Sequence, residues 1–197
     1  MSDRASFGHD TTTDQVLEGI DLTEARALVT GGTAGLGVET ARSLAAHGAA
    51  VTLTARDMAR GEAVAADIRE STGNQAVDVM QLDLASLASV RGFTDSYLAR
   101  YDRLNILINN AGIMACPEGR TEEGFELQFG TNHLGHFLMT SRLVPALLQG
   151  APARVVALSS RAHHMAPVDF EDLDFSGRGY NKWAAYGQSK TANVLFA

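Results

Sequence analysis

The segment Ala25–Thr30 (ARALVT) runs straight into Thr30-Gly31-Gly32-Thr33-Ala34-Gly35-Leu36-Gly37, and how it is read decides the fold. A short apolar run with β-branched members reads as a buried strand. Glycines follow where the chain must turn sharply and let its backbone approach a neighbour closely. Helical spacing of apolar residues then runs from Leu36 to about His47. A helix opened by such a turn aims its free N–H groups and positive dipole end at whatever lies beyond the strand, which suits a pyrophosphate.

Working outward, further strands read at Ala50–Thr54, Ala76–Leu82, Leu104–Ile108 and Ala153–Ser159. Between them lie a helix capped by Asp57, a helix Ser86–Tyr101 capped by Ser86, and a long helix Glu122–Leu148. A polar loop Arg161–Lys182 leads to a last helix, Trp183–Ala197. This alternation predicts an α/β fold, a doubly wound parallel sheet of the Rossmann kind with helices on both faces. Residues 1–21 read as a loosely held N-terminal arm with a helical turn near Asp14–Gly19, and residues 22–197 as the dinucleotide-binding and catalytic domain. Such a sheet carries a sixth strand beside the fifth. Five are found, and Val194-Leu195-Phe196-Ala197 is still in helical phase without a stop signal. The sheet is therefore expected to be C-terminally incomplete, cut in its last helix.

Composition narrows the function classes. The 197 residues carry a net charge of −7, with 45% hydrophobic and 20% charged side chains, as in ordinary globular proteins. An acidic balance without a basic patch argues against nucleic-acid and anionic-membrane partners. No apolar run reaches the roughly 18 residues of a membrane span. The single cysteine, Cys116, cannot form an internal disulfide, so a reducing compartment, the cytoplasm, is expected. The cations are 14 Arg and two Lys, which singles out Lys182 and Lys190.

The end of the second strand, Thr54-Ala55-Arg56-Asp57, stands where a dinucleotide site reads the adenosine ribose. A carboxylate there accepts from the 2′-hydroxyl of NAD, whereas a cation accommodates the 2′-phosphate of NADP. Ala55 offers nothing, Arg56 offers a planar phosphate clamp, and Asp57 caps the next helix; NADP is the expected cofactor. NAD is the alternative, with Asp57 on the ribose and Arg56 in solvent. Asp83 and Leu84, after the third strand, are placed to meet the adenine edge, though Asp83 could equally cap a turn before Ser86.

Three motifs occur in order: the Thr30–Gly37 turn as TGxxxGxG, Asn109-Asn110-Ala111-Gly112 as NNAG, and Tyr186-Gly187-Gln188-Ser189-Lys190 as YxxxK. With Asn132 and Ser159-Ser160 between the last two, residues 22–197 resemble the short-chain dehydrogenase/reductase family. Asn132-His133-Leu134-Gly135-His136-Phe137 and Ser160-Arg161-Ala162-His163-His164 further resemble its branch of retinol dehydrogenases and their bacterial relatives. The resemblance implies a small-molecule alcohol or carbonyl substrate and an NAD(P) cofactor. The cofactor would be held by Gly31, Thr33, Gly35, Leu36, Gly37, Arg56, Asp83, Leu84, Asn110, Ala111, Gly112, Tyr186 and Lys190. It also implies a catalytic set of Asn132, Ser160, Tyr186 and Lys190, and allows a homo-oligomer in a longer form, pairing through the fourth and last helices.

The side chains account for that chemistry. On a helix Tyr186 and Lys190 share a face at i and i+4. An ammonium about 5 Å away stabilises phenolate by roughly 3 kcal/mol at an effective dielectric near 20, bringing phenol deprotonation within reach of neutral pH. Tyr186 is then the expected general acid and base. Ser160 would hydrogen-bond the reacting oxygen, while Ser159 closes the strand. Asn132 would break the helix ladder and hold a water for proton relay. His133, His136, His163 and His164 lack a carboxylate or thiolate at ligand spacing, so no metal is expected. Cys116 reads as a small filler near the cofactor. A catalytically silent nucleotide-binding fragment is the alternative to an active oxidoreductase.

Overall fold

The computed structural model describes residues 7–197; the first six residues of the arm lie outside them. The short helix expected in the arm is α1 (Thr13–Leu17), capped by Thr12 in a reciprocal box with Gln15. It is held more firmly than a loose arm would be. Arg42 on α2 (Leu36–Ala46) bonds both Asp14 and Glu39, and the Thr13 hydroxyl donates to Glu39. Arg42, with Thr13, holds the Glu39 carboxyl down at about 2.

Five parallel strands make the sheet: β1 (Arg26–Val29), β2 (Ala50–Ala55), β3 (Val77–Gln81), β4 (Ile106–Asn109) and β5 (Arg154–Ala157), in the order β3-β2-β1-β4-β5. Val29 sits beside both Leu53 and Ile108, so β1 is the centre. The chain winds from β1 outward to β3, then crosses back to lay β4 on the other side of β1. That reversal opens a crevice at the carboxyl ends of β1 and β4, the place where such sheets bind ligands. Helices α2 and α3 (Met58–Thr72) bury one face, with Ala27, Val29, Leu53 and Ile68 in its core. Helices α4 (Leu87–Arg100) and α6 (Gly135–Gln149) bury the other, with Leu28, Leu107, Phe93, Met139 and Leu143. Because successive β1 residues face opposite cores, Ala27, Leu28 and Val29 run apolar without alternating. Asp57 and Ser86 cap α3 and α4 as their sequence positions predict, accepting from Arg60 N and Ser89 N.

The expected helix Glu122–Leu148 differs from the structure. Residues 120–126 form a tight turn, with Gly124 at φ +90° and Thr121 N–H donating to Phe125 O. The helix starts at α5 (Leu127–Phe129), passes through a π-helical turn at Gly130–Leu134 and continues as α6. Its cap is the buried Glu126, whose carboxylate accepts from Gln128 N and Phe129 N. After β5 come a 3₁₀ turn at Arg161–His164, an irregular loop, and α7 (Lys182–Phe196), capped by Asn181. Lys182 thus opens this helix rather than ending the loop.

Candidate active site

The glycine turn is built from below by one buried side chain. Thr30 Oγ1 accepts from Asn110 N (2.9 Å) and Ala111 N (3.0 Å), and lies 2.8 Å from His136 Nε2. His136 Nδ1 faces the Asn132 carbonyl at 3.0 Å, an acceptor only, so Nδ1 carries the proton and Nε2 accepts from the Thr30 hydroxyl. Burial, with the Lys190 charge adding to it, pushes the His136 imidazole down to about 4, so the ring is neutral. The Asn110 amide donates to Thr30 O at 2.8 Å, locking the turn after β1 to the end of β4. The glycines are required here for two different reasons. A Cβ on Gly37 would lie 2.3 Å from Gly31 O, so α2 could not pack on its own turn. Gly35 has φ +57° with open space around it, so there the backbone conformation demands glycine.

At the carboxyl end of β2, Arg56 and Arg60 line the same cavity as Thr54 and Ala55, and both guanidinium-bearing residues are exposed. Asp57 is engaged as the α3 cap, accepting from Arg60 N at 3.1 Å. Asp83 lines the cavity, and its carboxylate accepts from Ala85 N at 2.9 Å, the turn-capping role the sequence allowed.

At the opposite end α7 presents Tyr186 and Lys190. Lys190 Nζ lies 5.7 Å from the Tyr186 ring centre and donates to Leu158 O at 3.0 Å. Burial disfavours its ammonium and lowers its proton affinity. Ser160 Oγ accepts from Ala162 N at 3.2 Å, which leaves its O–H to donate elsewhere. Ser159 does more than close β5, which ends at Ala157: its hydroxyl donates to Lys190 O at 2.8 Å and pins α7 to the sheet. Asn132 lies in the π-helical turn, where regular i to i−4 bonding is broken as expected. Its side chain, however, is committed to protein groups rather than water. Oδ1 accepts from Ile113 N at 2.8 Å, and Nδ2 donates to Ile113 O at 2.9 Å and Ser189 Oγ at 3.0 Å. Its carbonyl accepts from the His136 ring and, at 3.2 Å, from Asn193 Nδ2.

One cavity of about 730 Å³ joins the two ends. Gly31, Thr33, Leu36, Gly37, Arg56, Asp83, Leu84, Asn110, Ala111, Gly112, Ser160, Tyr186 and Lys190 all line it. Gly35 and Asn132 do not; one shapes the turn and the other braces the wall from behind. Arg60, Thr131 and Ser159 line it without having been expected. The spacing of Arg60 from Arg56, one turn along a capped helix, was a usable signal; Thr131 carried none. His133 meets Asn193 at 3.1 Å, and His163 Nδ1 meets the Ser160 carbonyl at 2.7 Å. Cys116 lines the cavity as a half-buried free thiol. A glycine cradle a Cβ would fill, an 11-residue helix aimed from it, and a cation-bearing far end fit an elongated dinucleotide. No helix among the described residues is long and apolar enough to cross a membrane.

Residues 25–172, from β1 through β5, match the short chain dehydrogenase family. Retinol dehydrogenase 13 of Homo sapiens is 51% identical over 169 residues, covering 86% of this chain and 51% of that protein. Retinol dehydrogenase 12 of Homo sapiens is 49% identical over 169 residues, covering 86% and 53%. The chain spans about half the length of the curated relatives it matches. Among solved structures, an uncharacterized protein from Mycobacterium paratuberculosis superposes with a TM-score of 0.79 at 45% identity, covering 89% of this chain and 61% of that one. A short chain dehydrogenase from Escherichia coli CFT073 complexed with NADPH gives 0.71 at 28%, covering 89% and 69%. A match that runs through every strand, with about half the residues shared with retinol dehydrogenases, has one meaning: the chain belongs to the short-chain dehydrogenase family, on its retinol-dehydrogenase-like branch.

Proposed function

We propose that the protein is an NADP-preferring oxidoreductase that interconverts an alcohol and a carbonyl, with Tyr186 as general acid and base. The observation that carries this reading is that Ser160, Tyr186 and Lys190 line one cavity with the glycine turn of α2. When bound, a nicotinamide cofactor supplies or accepts the hydride. The chain's own part is to hold the reacting oxygen and move its proton. The free O–H of Ser160 donates to that oxygen and stabilises the charge that develops there. Tyr186 donates its phenolic proton to the oxygen on reduction and takes it back on oxidation. Lys190, buried one turn further along α7, stabilises the phenolate left behind.

NADP is favoured over NAD by two arginines at the adenosine end and by the use of Asp57 as a helix cap. The NADPH complex of the Escherichia coli neighbour supports the same choice. The names of the relatives make retinol and retinal the first substrates to try. The lone Cys116 suits a reducing, cytoplasmic setting.

The test is NADPH and NADH titration by fluorescence, followed by turnover of retinal with wild type and Tyr186→Phe. The substitution should lower turnover by about 10²–10⁴-fold, the usual contribution of a general acid, with NADPH affinity retained. Undiminished turnover would remove Tyr186 from the mechanism. Nucleotide binding without turnover of any carbonyl would favour the catalytically silent reading.

A further inference from the structure

One wall of the cavity is a loop, and loops have no ladder to satisfy their backbone groups. Gly112, Ile113, Met114 and Cys116 line the cavity, and Ala115 between them holds the left-handed conformation at φ 48°. Two amide side chains, four residues apart, take up this backbone. Asn132 engages both polar groups of Ile113, and Gln128 Oε1 accepts from Ala115 N at 2.7 Å. Gln128 is completely buried and spends every polar atom it has. Its Nε2 donates to Lys182 O and to Tyr180 Oη, both at 2.9 Å, and the Tyr180 hydroxyl donates to Cys116 O at 3.0 Å.

Both amides also reach α7. Gln128 bonds Lys182, the first residue of that helix, and Asn132 bonds Ser189, whose hydroxyl donates to Tyr186 O at 2.8 Å. The two attachment points bracket Tyr186. Bonds at Ser189, Lys190 and Asn193 hold the middle and end of α7, whereas the bond to Lys182 O holds its first turn. We propose, on the oxidoreductase reading above, that Gln128 is a positioning residue: with Tyr180 it sets the spacing between the 112–116 wall and the first turn of α7, and so the place of Tyr186 against a substrate oxygen. Gln128 does not line the cavity, so its effect passes through the groups it holds.

The only cysteine gives a direct probe, because Cys116 sits in the braced loop. Gln128→Met removes all three bonds at nearly constant length, and Tyr180→Phe removes the Gln128–Tyr180 bond together with the hold on Cys116 O, leaving Gln128 on Ala115 N and Lys182 O. Leu44→Ala, in the core on the other face of the sheet, is the control for general loss of stability. Thiol labelling by a disulfide reagent such as DTNB is timed for each, together with NADPH affinity and the kcat and KM for retinal. Labelling should accelerate about tenfold in both loop variants, the factor that one net hydrogen bond supplies, and stay at the wild-type rate in the control. In Gln128→Met, kcat should fall about tenfold with KM and NADPH affinity within twofold of wild type.

Labelling no faster than in a control of equal melting temperature would overturn the proposal, as would opened labelling with unchanged kcat. If Gln128→Met does not fold, Tyr180→Phe decides by the same labelling measurement. A wild-type chain that binds neither nucleotide overturns the oxidoreductase reading and the catalytic part with it. Unaltered labelling in a chain that turns over overturns the positioning role alone.

Discussion

Acid should destabilise this protein through His136. The ring is 2% exposed, its Nδ1–H donates to Asn132 O, and its Nε2 accepts from Thr30, which in turn holds the two backbone N–H groups that lock the glycine turn. A second proton would face an Oγ that already accepts two bonds, and the displaced hydroxyl hydrogen would find only Ile108 O at 3.4 Å. In the fold the ring titrates at about 4 against an ordinary 6.5, because burial disfavours the cation. The unfolded chain therefore binds the proton first, so the contribution is intact above pH 6.5 and is lost as pH falls from there towards 4. At pH 5 the loss relative to pH 8 comes to about 2 kcal/mol, with a slope of at most about 1.4 kcal/mol per pH unit.

The measurement is a difference between two proteins, so that every other protonation cancels. Urea unfolding followed by far-ultraviolet circular dichroism at pH 8, 6.5 and 5 is compared for wild type and His136→Gln, which has no such titration. At pH 8 the variant should be less stable by about 1–3 kcal/mol, the cost of leaving a buried hydroxyl poorly paired. By pH 5 the gap should shrink by about 2 kcal/mol, because only wild type is losing stability through this ring. A gap that stays constant to within about 0.5 kcal/mol, the usual scatter of additive effects, would refute the buried neutral imidazole.

The glycine turn offers a paired test. Gly37→Ala, whose Cβ would meet Gly31 O and the Asn110 amide, should cost about 1–3 kcal/mol from overpacking and abolish NADPH quenching. Gly35→Ala, strained only in its backbone, should cost about 1–2 kcal/mol and keep measurable binding; thermal melts and titration of both report it. At the adenosine end, replacing Arg56 and Arg60 together by Ser should weaken NADPH about 10–100-fold, as expected for lost charged hydrogen bonds, and leave NADH unchanged. An equal loss for both nucleotides would place the arginines away from the 2′-phosphate.

Which parts of this site were legible beforehand follows from how far each interaction reaches along the chain. Asp57 and Ser86 announced their helices because a cap bonds a residue three positions on. The Tyr186–Lys190 pair was equally visible, since one helical turn sets it. Glu126 was missed as a cap: a buried carboxylate is an uncommon choice, and Gly124 and the turn before it gave the only local hint. Gln128 looked like any polar helix residue until Ala115, Tyr180 and Lys182 were brought around it. His136 invited a question about metals and turned out to support Thr30, a partner 106 residues away.

The sequence by itself determined the α/β alternation, the glycine turn after β1 and the pairing of Tyr186 with Lys190 on one helix, because periodicity, capping and i to i+4 spacing are local. Only the tertiary structure decided what holds those side chains in place. The bonds from His136 to Thr30, from Asn132 and Gln128 to the 112–116 loop, and from Ser159 to α7 join segments that meet only after the sheet has formed. Burial then makes each of these polar groups need its partner, and no linear pattern records which partner that will be.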